Sequence, residues 1–150
     1  MFSDYIPFIL MPFIWWGVRY KLKKEDKYTP FKRKTLFIGI VSFFLTEIAR
    51  SFYGPYIYKN DIFDYYLADT LGNSLGTVTA IFMVLSLSGK STKKDWKIMA
   101  IIISGLVGYE CLNFITGYPF DFRDVLATLI FGGISIAVYF QLLQKYKKNH

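Results

Sequence analysis

The sequence predicts an all-α fold: an integral membrane helical bundle of five transmembrane helices, built as two parallel helical-hairpin repeats plus an N-terminal helix. Three observations predict it. Hydrophobic residues make up 53% and aromatics 20% of the 150 residues, both high for a chain of this length. The apolar residues gather into five runs of near-spanning length. The charges sort by loop, basic on one side and acidic on the other. A water-soluble bundle has no reason to sort its charges by loop parity.

The first run is Asp4–Tyr20. It is short, and Pro7 and Pro12 are expected to bend it. A spanning helix needs about 20 residues, so a re-entrant or interfacial path is the alternative. Trp15 and Trp16 sit near its end, as in an interfacial aromatic belt. Its positive charges follow the apolar run, whereas a secretory signal carries them in front. The run reads as a retained membrane helix.

The other four are Lys34–Tyr53, Ile62–Leu87, Trp96–Thr116 and Asp124–Leu143. Each is near the length that a rise of about 1.5 Å per residue requires to cross about 30 Å. The whole chain, 1–150, reads as one transmembrane domain. It divides into an N-terminal helix at 4–20, a hairpin at 34–87 and a second hairpin at 96–143.

The loops predict orientation. Arg19–Lys34 holds eight Lys or Arg, Ser88–Lys97 holds four, and the tail adds Lys145, Lys147 and Lys148. Only Arg50, Lys59 and Arg123 fall elsewhere. Five crossings with the N-terminus outside put all three clusters on one side, which the positive-inside rule makes cytoplasmic. Glu25, Asp26 and Asp95 are the only acids on that side. The expected location is the plasma (inner) membrane, with the C-terminus in the cytoplasm.

The two hairpins resemble each other. Each has a glutamate late in its first helix, Glu47 in LTEIARSF and Glu110 in GYECLNF. Each has an aromatic and acidic outer loop, with Phe63–Asp64 in one and Phe120–Asp121 in the other. Aligning Leu67–Ala68 with Leu126–Ala127 gives an offset of 59 residues. Both hairpins run in, out, in, so the repeat is parallel. Small residues recur every fourth position at Gly72, Gly76 and Ala80, at Thr128 and Gly132, at Gly133 and Ala137, and at Ser104 and Gly108. Such rows let helix backbones approach closely in lipid, so they predict tight packing and say nothing of substrate.

Polar groups in the hydrocarbon layer are costly, so their default reading is function or pairing. Glu47 and Arg50 are three residues apart and are expected to pair locally. Glu110, about 9 Å below the outer end of its run, has Asn113 three residues on. Asp69 and Asn73 are one turn apart on the face of Gly72 and Gly76. Asp124 opens the last run, one turn before Thr128. A symmetric arrangement converges Glu47, Asp69 and Asn73 on Glu110, Asn113, Asp124 and Thr128. The product is an acidic, polar pocket open to the outer face, suited to proton exchange or to a polar or cationic group. The plainer readings are that Asp64 and Asp124 cap outer helix N-termini, and that Glu47 and Arg50 are a structural pair.

Much chemistry is set aside. His150 is the only histidine and Cys111 the only cysteine, so no histidine catalysis, disulfide or metal framework is expected. No phosphate-binding loop, HExxH helix, GxSxG elbow or CxxC pair occurs. No catalytic residue and no cofactor are expected. The net charge of +7 sits in loop clusters without a basic helix or aromatic-basic motif, which argues against nucleic acid. The partners expected are the lipid bilayer and a membrane-protein partner or a second copy of the chain.

The stretch ADTLGNSLG at Ala68–Gly76 resembles the D-x-x-A-N-T-L-G-x-x-x-G signature of the VanZ-like membrane proteins. In that family a glutamate ends the preceding helix and an acidic loop leads into the signature helix. Here Glu47 and Asp64 take those places, and Glu110, Asp124 and DVLATLIFGG resemble the same pattern in the second hairpin. Asp69 and Thr128 stand where the family usually has Asn, and Phe131 where a Gly is expected. The family is linked to teicoplanin resistance and the cell envelope. The resemblance implies a small cell-envelope protein that binds a polar or cationic ligand or head group. The alternatives are an oligomeric transporter or proton-coupled subunit using intramembrane glutamate, a structural subunit of a membrane complex, and an enzyme on lipid-linked substrates.

Overall fold

A computed structural model describes residues 5–117 and 120–148. Asp4, the expected start of the first run, and His150 lie outside the described residues. The chain is all-helical, with no strand among the described residues. Its helices are α1 (Ile6–Lys24), α2 (Pro30–Lys59), α3 (Leu67–Ser88), α4 (Trp96–Thr116) and α5 (Phe122–Lys148).

Four of them, α2 to α5, are long and apolar enough to cross a membrane. α1 is not among the four, because its last turn carries Lys21, Lys23 and Lys24. α4 has the surface of a helix suited to lipid. Met99 is its one fully buried residue, while Phe114 and Ile115 are 71% and 76% exposed. A helix apolar on all sides is stable in a lipid environment and insoluble outside it.

α1 has Pro7 in its first turn, where a missing N–H costs nothing, and it continues through Pro12. It runs four residues past the expected end, to Lys24. It leans on α2 by its rings: Phe8 lies 5.7 Å from Phe44 and 5.8 Å from Phe52.

α2 begins earlier and ends later than the apolar pattern predicts. Thr29 caps it by accepting from the Lys32 N–H at 3.2 Å, with Pro30 in the first position. Beyond Ile48 the helix widens into a π turn at Ala49–Tyr53, then resumes as Gly54–Lys59. Pro55 explains the widening. It has no N–H for the Ser51 carbonyl, and its ring would clash there in a regular helix. Gly54 N–H instead reaches back to the Ala49 carbonyl.

α3 starts at Leu67, later than Ile62, because the preceding loop turns through Tyr65 and Tyr66 in left-handed conformation, at φ 57° and 64°. Asp64 ties this loop down. Its Oδ2 accepts from the Ala68 N–H at 2.7 Å and from the Tyr53 hydroxyl at 3.2 Å.

α3 is the central helix, packed against α2 on one side and α5 on the other, and α5 carries α4. The small-residue rows are only partly the close contacts they predict. A Cβ on Gly132 would lie 2.7 Å from Ile103 Cδ1, so α4 and α5 do touch closely there. A Cβ on Gly76 or Gly133 would meet nothing within 4 Å, and one on Gly72 only the stem of Arg50. The tight α2–α3 crossing is at Gly39 instead, where a Cβ would lie 3.1 Å from the Met83 backbone N.

The buried core of Phe31, Ile81, Phe82, Leu85, Met99, Tyr139 and Leu143 lies toward the end where the basic loops meet. Buried polar groups join those loops. The Lys32 ammonium donates to the carbonyls of Leu85 and Gly89, closing the C-terminus of α3. Asp95 accepts from the backbone N–H groups of Lys90 and Thr92, each at 3.0 Å, and from the Tyr139 hydroxyl. Phe31 lies edge-on to Tyr139 at 5.3 Å. The three basic clusters therefore share one end of the bundle.

Candidate functional site

The other end holds the acids and a polar cavity. The cavity has a volume of about 240 Å³ and draws on all four long helices. Thr46 and Arg50 come from α2, one turn apart. Asn73 and Thr77 come from α3, also one turn apart, with Gly72 and Gly76 beside them. α4 supplies Tyr109 and Glu110, and α5 supplies Thr128. The two glycines leave the room. Side chains at Gly72 and Gly76 would project where the cavity now is.

The sequence-predicted residues divide as follows. Arg50, Asn73, Glu110 and Thr128 share the wall. Asn113 stands behind it, its Nδ2 donating to Glu110 Oε2 at 3.3 Å. Asp124 is next to it: Asn73 contacts its carboxylate, while its Oδ1 is buried without a hydrogen-bond partner among the described residues. Glu47 and Asp69 are not on the wall. Asp69 is exposed and accepts from the Tyr58 hydroxyl.

Two expectations about these residues are corrected. The ion pairs among the described residues are Lys27–Glu25 and Arg123–Asp121, and Glu47–Arg50 is not one of them. The backbone between the two residues is regular helix, and it is the side chain that goes elsewhere: Arg50 runs along α3, its stem 3.7 Å from where a Gly72 Cβ would be. Asp124 is not the cap of α5 either. Asp121 is, accepting from the Arg123 N–H on Oδ1 at 2.8 Å and from the Asp124 N–H on its carbonyl at 3.0 Å. Asp64 does cap α3.

The wall thus carries one charge of each sign among threonines and an asparagine, with Leu106 and the Tyr109 ring as its apolar part. Arg50 offers planar N–H donors and Glu110 acceptors. The Thr46 and Thr77 hydroxyls bond back to the carbonyls of Ser42 and Asn73, at 2.8 and 2.7 Å. That leaves their lone pairs, and not their protons, toward the cavity. Such a wall suits a small group carrying both a donor and an acceptor.

Thr46, Thr77 and Tyr109 were not legible as site residues. The signal for Thr77 was present, one turn beyond Asn73 on the same face. The Lys32 contacts with the Leu85 and Gly89 carbonyls and the Tyr139–Asp95 hydrogen bond were also missed. Asp95 as a lone acid in a basic loop was the clue. Among the described residues, no group of three or more His, Cys, Asp or Glu is placed to hold a metal. No protein-family model, curated protein or solved structure matches the chain.

Proposed function

We propose that the chain is a small multi-pass protein of the cell envelope, similar to the VanZ-like proteins, that binds a polar, zwitterionic ligand or head group. One observation carries this reading: Arg50, Asn73, Glu110 and Thr128, from four different helices, line one cavity. A guanidinium and a carboxylate on one wall complement a group with both charges better than a bare cation. The fall of the ADTLGNSLG stretch on α3, with Gly72, Asn73 and Gly76 lining the cavity, fits the VanZ-like resemblance. The positive-inside rule makes the basic end cytoplasmic, so the cavity opens toward the outer face. A proton-coupled subunit using both glutamates is less well supported, because Glu47 is off the wall.

The test uses a Cys111→Ser background, which removes the single cysteine. Asn73→Cys, on the cavity wall and partly exposed, is treated in intact cells with a membrane-impermeant thiol reagent, beside Lys59→Cys and Ser91→Cys. The reading expects labelling at 73 and 59 but not at 91, slowed at 73 by phosphoethanolamine and by Gly76→Leu. An unlabelled position 73 beside a labelled position 59 overturns the water-open cavity. Labelling at 91 overturns the orientation.

A further inference from the structure

A second cavity, of about 580 Å³, lies at the basic end between α1, α2 and α5. Its polar wall is wholly cationic: Arg19, Arg33 and Lys34 line it, and no acidic residue does. Its apolar wall is Phe37, Ile38 and Leu142. Arg19 is held in place by two rings, its guanidinium 5.3 Å from the centroid of Trp15 and 5.6 Å from that of Tyr28. Among the described residues, none of the three cations is in an ion pair. Nearby Glu25 is already occupied by Lys27 at 2.8 Å.

Charge clusters beside membrane helices are commonly solvated loops, and topology alone explains them. Here two further features exceed that explanation. The cations line a space of ligand size, and apolar side chains line the same space. We infer that this cavity binds one anionic glycerophospholipid, its phosphate between Arg19, Arg33 and Lys34 and an acyl chain along Phe37, Ile38 and Leu142. Planar guanidinium groups suit a phosphodiester, which takes two parallel hydrogen bonds from each. Trp15 and Tyr28 suit the level of the head group. The bound lipid fills the gap beside α1, which otherwise rests on α2 through the Phe8, Phe44 and Phe52 rings. The site is separate from the polar cavity and stands whether or not that cavity binds a ligand.

The experiment follows the melting temperature of the full-length protein in neutral detergent, titrated with short-chain phosphatidylglycerol, phosphatidylcholine or inorganic phosphate. Saturable stabilisation by phosphatidylglycerol alone is expected. Arg19→Gln with Arg33→Gln should weaken it roughly thirtyfold, taking each charge near a lipid surface at its usual worth. Lys21→Gln with Lys24→Gln changes net charge equally outside the cavity and should leave affinity within about twofold. If the arginine pair fails to fold, Leu142→Trp, which fills the acyl slot and keeps every charge, should abolish the effect. Equal weakening by the lysine pair would mean a diffuse surface potential and overturn the site. Equal stabilisation by inorganic phosphate would reduce it to an anion site, and equal binding of phosphatidylcholine would remove the charge argument. Either result overturns the proposal.

Discussion

The Tyr139 hydroxyl, on the inner face of α5, donates to the carboxylate of Asp95 in the turn before α4, and both side chains are buried. A buried carboxylate needs its full set of donors. Tyr139→Phe keeps the edge-on contact with Phe31 and removes one donor from Asp95. It should cost about 1.5–3 kcal/mol, the worth of a hydrogen bond to a charged group. Thermal unfolding in detergent measures it. A melting temperature equal to that of the parent chain would show that the bond contributes nothing.

Lys32 works on the same end from the opposite side. Lys32 is buried, 4% exposed as a residue, and its ammonium serves the carbonyls of Leu85 and Gly89. Lys32→Met keeps much of the apolar stem and abandons both carbonyls at the C-terminus of α3. The expected loss is about 2–3 kcal/mol, with earlier hydrogen exchange in residues 85–89. Unchanged exchange there would sink the capping role.

The glycines of the bundle should respond in opposite ways. Gly132→Ala drives a methyl into Ile103, and an overpacked contact typically costs about 1–3 kcal/mol. Ile103→Val, which removes the atom 2.7 Å away but keeps Cγ1 at 2.9 Å, should restore part of the loss. Gly76→Ala meets open space and should hold or raise stability, since Ala outranks Gly in a helix by about 1 kcal/mol. Melting curves of the three variants decide it. A fall at Gly76→Ala equal to that at Gly132→Ala would contradict the placement of the cavity.

The loop before α3 stores strain. Tyr65 sits at φ 57° while 85% exposed, a conformation that Asn tolerates better than Tyr. Tyr65→Asn relieves the backbone but gives up a ring contact with Phe63 at 5.0 Å, so it should stabilise the protein in detergent by no more than about 0.5–1 kcal/mol. Tyr66 is different, because the Arg123 guanidinium lies 3.4 Å from its ring centroid. Tyr66→Asn relieves the backbone but loses that contact, so its net effect should be smaller. Differential scanning of both variants gives the comparison.

The helical class and four spanning segments were legible because hydropathy acts over windows of about 20 residues, and local errors average out. α4 runs Trp96–Thr116 as the sequence suggested. Helix ends were less legible. Thr29–Pro30 is a cap signal that lies outside the apolar run of α2, so hydropathy alone set the start too late. Half of the candidate polar residues, Arg50, Asn73, Glu110 and Thr128, do share a wall. The Glu47–Arg50 pair failed because spacing along one helix does not say which way a long side chain turns, and Arg50 lies along the neighbouring α3 instead. The role of the glycines was misread for a different reason. A small residue permits a close contact or leaves a gap, and the partner helix decides which.

The π turn also bears on how α2 meets a bilayer. At 30 residues, α2 is about 45 Å long, well beyond a hydrocarbon core of about 30 Å. Counted from Lys34, where the apolar run begins, Tyr53 comes after about 28 Å, so in a bilayer the widened turn ends where the helix leaves the lipid. Backbone carbonyls that lose helical partners there can be met by water. The surplus length is then a matter of hydrophobic mismatch. With a joint at this level, the last turns can swing as membrane thickness changes, while the buried contacts of Phe31 and Lys32 stay fixed at the opposite end.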